Sequence, residues 1–210
     1  SESDRVNFSD THWSYDPGSL DVAMYFAKEL KCLLVYSLYS RLLCDVNRDI
    51  AADTLFRTNG DGHLVELNQN LDFEEEQKRI IKYHHTYFSA LREISMKIDP
   101  TNVISVHSFT ALYEGQARTL EIGILVNYSD ELAEKVCQGI KKRNHNVAVN
   151  EPYDGKQGLA TIDVLLFAKY PVRRQGIEFE FRNDLLLDST KAPKIKEDSL
   201  KAVKEALNIL

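Results

Sequence analysis

Four stretches of this 210-residue chain place titratable side chains where chemistry could use them. Residues 103–118, VISVHSFTALYEGQAR, begin as an apolar, β-branched run, which reads as a strand buried on both faces of a sheet. The run stops at His107, with Ser108 next and Gly115 and Arg118 beyond. Such a strand carries an imidazole to the open edge of an α/β sheet, where ligands bind beyond the carboxyl ends of the strands. His107 is thus a candidate metal ligand or catalytic group; a histidine that caps the strand and bonds a backbone carbonyl is the plainer alternative. Upstream, His12-Trp13-Ser14-Tyr15-Asp16 is dense in groups that coordinate or hydrogen-bond. The run from Tyr39 to Arg48 interleaves apolar residues with Arg41, Asn47 and Arg48. Its two arginines are spaced for ion pairs with Asp45 or Asp49. Downstream, Ile177-Glu178-Phe179-Glu180-Phe181 alternates, so a strand there carries both carboxylates on one face. Glu180, two residues from Arg182, can pair with a neighbouring strand.

These groups need elements to hold them. Residues 1–18 are polar and end in Pro17-Gly18, which predicts a loop. Ser19 is placed to cap a helix from 20 to about 31, and 33–36 reads as a short buried strand. Residues 49–71 predict a long loop with a turn at Asn59-Gly60. Its Asn59-Gly60-Asp61-Gly62 is no calcium loop, since Arg57 stands where an acid is required. Asp72 and Glu75 form a capping box for a long helix over 73–97. The apolar stripe of that helix runs Ile80, His84, Tyr87, Phe88, Leu91, Ile94 and Ile98, which puts His84 on a buried face. Strands are expected at 120–126, 147–149 and 177–181. A helix is expected from Ser129 or Asp130 to about 142, and another from Asp198 or Ser199 to 207; 161–169 is ambiguous. Alternating strands and helices predict an α/β fold with a largely parallel or mixed sheet covered by helices.

Length favours one well-buried domain over residues 1–210. A net charge of −6 gives no general attraction to nucleic acid or anionic membrane. No apolar stretch approaches the roughly 20 residues of a membrane helix. Three cysteines without a CxxC spacing point to buried thiols in a reducing compartment, the cytoplasm or an organelle matrix.

Taken in order, several stretches resemble the N-formylglutamate amidohydrolase family. His12-x-x-Tyr15-Asp16-x-Gly18 is similar to its HxxWDxG stretch, and Ser40-Arg41-Leu42-x-x-Asp45-x-Asn47-Arg48 to its SRLxxDxNR. Asn68-x-x-Leu71 with Arg79, Val106-His107-Ser108-Phe109-Thr110, Asn150-Glu151-Pro152-Tyr153 and Glu180-x-Arg182-x-Asp184-Leu185 complete a series over about 12–187. The resemblance implies a zinc-carboxypeptidase-like fold, a mixed, mostly parallel sheet sandwiched by helices. It also implies hydrolysis of a formamide by metal-bound water and a carboxylate base, chemistry in which zinc supplies a water of lowered pKa. Carried over, His107 and Asp16 are implied as metal ligands, with His12 a further candidate. Glu180 is implied as general base, and Asn47, Arg48, Arg41 and Arg118 as the pocket for a substrate carboxylate.

Four departures run against that activity. The match begins downstream of the strand that carries the family's first metal-ligating histidine. The long helix reads His84-His85-Thr86-Tyr87-Phe88 where members have an HxPYH-like run. Glu121 stands at the histidine of RPWHxGxL, and no histidine follows His145. A catalytic zinc site has three protein ligands and an open position. The expectation is therefore a family member with an incomplete metal site, a structural or interaction subunit of a larger assembly that binds other protein subunits. The alternative is an active zinc-dependent deformylase acting on a small carboxylated amide.

Overall fold

The computed structural model describes residues 1–98, 101–113, 115–127, 131–157 and 175–209. The chain forms two compact units, Ser1–Tyr15 with Val35–Asp99, and Asp16–Leu34 with Pro100–Leu210.

The second unit holds the sheet. Its elements are helix α2 (Ser19–Leu30), strand β3 (Asn102–Phe109), the hairpin β4 (Leu112–Tyr113) and β5 (Gln116–Ala117), and strand β6 (Ile122–Leu125). Helix α5 (Glu131–Lys141), strands β7 (Val147–Val149) and β8 (Gln175–Arg182), and helices α6 (Asn183–Leu187) and α7 (Ala192–Ala206) follow. The strand order is β3-β8-β6-β7. β3 is parallel to β8, β6 is parallel to β7, and β6 runs antiparallel to β8. The result is the mixed, helix-covered α/β sheet that the alternation of elements predicts. β8 is buried along both faces. Ile177, Phe179 and Phe181 enter a core shared with Val22 and Phe26 of α2, Val136 and Ile140 of α5, and Leu200 and Val203 of α7. Phe179 stacks on Phe181 at 5.3 Å and meets Phe26 edge-on at 5.7 Å, geometries the ring quadrupole favours. Because side chains alternate, Glu178 and Glu180 leave by the opposite face.

The first unit contains helix α1 (Glu2–Phe8), the hairpin β1 (Asn59–Gly60) and β2 (His63–Leu64), helix α3 (Phe73–Arg79) and helix α4 (Thr86–Ile98). Among the described residues small clusters support it, Phe8 with Leu42 and Val65, and Cys44 with Leu55 and Ile80.

Several expectations are corrected. Residues 1–18 are not all loop. Ser1 and Asp4 make a reciprocal capping box that starts α1, and Phe8, 1% exposed, anchors it; one helix of two turns is too short for periodicity to reveal. The cap of α2 is Gly18, not Ser19, whose hydroxyl instead donates to the Asp16 carbonyl at 2.8 Å. Residues 33–36 form no strand, and Leu33 is 63% exposed: an apolar run becomes a strand only where a neighbour completes its ladder. The turn expected at Asn59-Gly60 lies two residues on, at Asp61 and Gly62, whose positive φ values of 48° and 79° suit a two-residue hairpin. The helix over 73–97 is interrupted by a π-helical stretch, Ile80–His85. Ile98, expected on its buried stripe, is 51% exposed. Asp198 and Ser199 do not cap the last helix, which begins at Ala192 with proline in its first turn; Asp198 accepts from His145 and Lys194 instead. β3 is half-buried rather than covered on both faces, because it pairs only with β8 among the described residues. The segment 161–169 lies outside the described residues, as do Ser129 and Asp130.

Candidate functional site

Parallel pairing sets His107 directly beside Glu180 and Ser105 beside Glu178. The pattern of each strand is local, but this register gathers an imidazole and two carboxylates on one face of two adjacent strands. The turn preceding α2 brings Asp16 to the same place. Ser108 donates to the Pro17 carbonyl at 2.9 Å. Gly18 has φ 81°, and a Cβ there would lie 2.5 Å from Cβ of Leu186. That turn therefore needs a residue without a side chain.

His107 Nδ1 lies 2.6 Å from Asp16 Oδ2, and Nε2 lies 3.6 Å from Glu178 Oε2. Burial alone would favour the neutral ring. The Glu178 charge, the Asp16 hydrogen bond and charge, and the Glu180 charge outweigh it, raising the His107 pKa to about 10. The three acids around the ring thus favour its protonated form. Arg182, the cation nearest Glu180 in sequence, pairs with Asp184 at 2.8 Å.

The loop 150–155 reaches over β6 because Gly123 has no side chain: a Cβ there would sit 2.0 Å from the Glu151 carbonyl oxygen. Asn150 fixes the loop further, its Oδ1 accepting from the Val126 amide at 2.9 Å. Tyr153 on this loop meets Arg118, whose Nη1 donates to the phenol oxygen at 3.3 Å. Arg118 also lies against Tyr113 and Phe109.

The first unit holds the remaining expected residues. Arg41 donates to Asp45 Oδ2 from Nε at 3.0 Å and Nη2 at 2.9 Å. Arg48 Nε lies 3.8 Å from the same oxygen, and the Asn47 amide donates to Asp45 Oδ1 at 3.0 Å. These are the ion pairs that sequence spacing allows. His84 is buried as expected, and its Nε2 lies 3.0 Å from the Arg48 carbonyl. A carbonyl only accepts, so Nε2 carries the proton. His12 belongs to this unit and packs its ring against Trp13 at 4.4 Å.

The structure therefore brings Asp16, His107, Glu180 and Arg118 into one unit, and Arg41, Asn47, Arg48 and His12 into the other. Glu178, which the alternation of its strand places on the face of Glu180, is the site residue to which reading the sequence assigns no role; it lies 3.6 Å from His107.

A catalytic zinc needs three protein ligands that present lone pairs to one point. Among the described residues no group of three or more His, Cys, Asp and Glu side chains could hold a metal ion. His107 turns Nδ1 toward Asp16 and Nε2 toward Glu178. The residues as arranged do not fit the ion.

The family model for N-formylglutamate amidohydrolase matches residues 2–187. Among solved structures, a gene product of Agrobacterium tumefaciens is 27% identical, with a TM-score of 0.86 over 95% of this chain and 80% of its own. An N-formylglutamate amidohydrolase from Ralstonia eutropha is 17% identical, with a TM-score of 0.54 over 74% of this chain and 62% of its own, a likeness of fold. Comparison with curated proteins gives no match.

Proposed function

The chain belongs to the N-formylglutamate amidohydrolase family, and from that premise we propose that it is a member without amide-hydrolysing activity, serving as a structural or interaction subunit that keeps a ligand pocket. The observation that supports this reading is His107 itself. Its ring faces Asp16 on one nitrogen and Glu178 on the other, an arrangement that favours the protonated, non-ligating form. Formamide hydrolysis by the family's route needs an activated water and a free carboxylate to take its proton. Here the His107 ring faces the carboxylates of Asp16 and Glu178 instead. Arg41, Asn47 and Arg48, gathered around Asp45, are the groups this reading assigns to a ligand's carboxylate.

The test is zinc analysis of the purified chain together with formate release from N-formyl-L-glutamate. The expected result is less than one zinc per chain and no formate. One zinc per chain with formate release that Glu180→Gln abolishes would establish the alternative, a working zinc-dependent deformylase, and overturn the proposal.

A further inference from the structure

The first unit holds a cavity of about 460 Å³, within the range of about 300–1,000 Å³ that small-molecule sites occupy. One wall is the loop 50–58, and the other runs from Asn68 along α3 to Ile80. Both walls are held. In the loop the Ala51 amide donates to Asp49 Oδ1 at 2.8 Å, the Ala52 amide to the Asp49 carbonyl at 3.0 Å and the Leu55 amide to the Ala52 carbonyl at 2.9 Å. Two turns thus bracket Asp53. Asn68 ties wall to wall: its Nδ2 donates to the Leu42 and Arg57 carbonyls, each at 2.8 Å, and its Oδ1 accepts from Arg79 at 2.8 Å. Leu55 and Ile80 are buried, and with Phe56 packed against them they give the cavity an apolar floor. Neither the Asp16–His107 cluster nor Arg41, Asn47 and Arg48 lines it.

Charge decides what fits. The described lining carries two carboxylates, Asp53 and Glu76, and no lysine, arginine or histidine. The cations of α3 are committed elsewhere. Lys78 pairs with Glu74 at 2.8 Å, and Arg79 donates to Glu75 at 2.8 Å, to Asn68 and to the Leu67 carbonyl at 3.3 Å. Among the described residues neither the Asp53 nor the Glu76 carboxylate has a partner. An entering anion would meet two like charges, whereas a cation gains from both. We propose that this cavity is a binding site for a small organic cation, an ammonium group on an apolar body. The carboxylates of Asp53 and Glu76 meet the ammonium, and Leu55, Phe56 and Ile80 take the body. Asp53 is exposed and Glu76 half-buried, so solvent screens both; charge selects the ligand while apolar burial supplies the remaining affinity. The site is separate from the question of turnover at His107.

The experiment is calorimetric titration of the full chain with phenethylamine, which is charged at neutral pH. Phenethyl alcohol, the same body without the charge, and phenylpropionate, which reverses it, are the controls. Phenethylamine is expected to bind at least about tenfold more tightly than either, and added salt should weaken the amine alone. Asp53→Asn and Glu76→Gln keep shape and disturb no contact. Each should weaken phenethylamine about threefold and leave the denaturation midpoint unchanged. Ala52→Phe fills the cavity with both carboxylates in place, and should weaken the amine at least about tenfold. Equal affinity for the amine and the alcohol overturns the proposal. So does unchanged affinity when Asp53→Asn and Glu76→Gln are combined, and so does absence of binding to the natural chain.

Discussion

Among single residues, His107 carries the sharpest expectation. A histidine whose pKa is raised by carboxylates contributes stability that is fully present below its ordinary value of about 6.5 and is lost as pH rises through its folded value. For His107 that window runs from about 6.5 to about 10. NMR titration of its ring protons should therefore show imidazolium shifts at pH 8, with the transition near pH 10. A ring neutral at pH 7 would mean that the carboxylates do not hold the proton, and would remove the argument against a metal ligand. Asp16→Asn should lower the transition, because it removes both the charge and the 2.6 Å acceptor at Nδ1.

Among the elements, the site depends on close approach as much as on chemistry. β6 lets the loop 150–155 descend only because position 123 is glycine. Gly123→Ala would drive a methyl into the Glu151 carbonyl oxygen, and a backbone atom cannot rotate away as a flexible side chain can. The expected cost is about 2 kcal/mol or more, read as a lowered denaturation midpoint. Loss of the Tyr153–Arg118 contact should accompany it, read by hydrogen exchange across 150–155. A Gly123→Ala variant as stable as the natural chain would mean that the loop does not need the approach. The helix over 73–97 shows the converse case. Its stripe holds for Ile80, His84, Phe88 and Leu91, all buried. The π-helical stretch Ile80–His85 is invisible to a 3.6-residue pattern, because the extra residue of a π turn is fixed by packing.

For the molecule as a whole, the sheet unit is organised around β8. Phe179 is fully buried between α2 and Phe181, so Phe179→Ala should cost about 3–5 kcal/mol. A domain's total stability is about 5–15 kcal/mol, so that loss brings the unit close to unfolding and removes the platform on which Glu178 and Glu180 stand. Chemical denaturation followed by circular dichroism checks it; a change below about 1 kcal/mol would show that the ring is not central to the core. In both units the described residues include no helix long and apolar enough to cross a membrane. Cys44 and Cys137 are buried thiols, as expected, whereas Cys32 is exposed.

The class of fold, the family and the strands that carry His107 and Glu180 are legible in the amino-acid order alone, as is the shared face of Glu178 and Glu180. All of these follow from local alternation and from short motifs in series. The first helix, the start of the last one and the unpaired run at 33–36 are misread there, because a cap, a proline or a missing neighbour outweighs the local pattern. The pairing of His107 with Glu180 and the approach of Asp16 from 91 residues away come from the folded chain. So does the closing of three aromatic rings around Arg118. Strand register, turn geometry and the burial of charge depend on atoms distant in the chain, and whether His107 is an open ligand or a closed ion pair depends on them in turn.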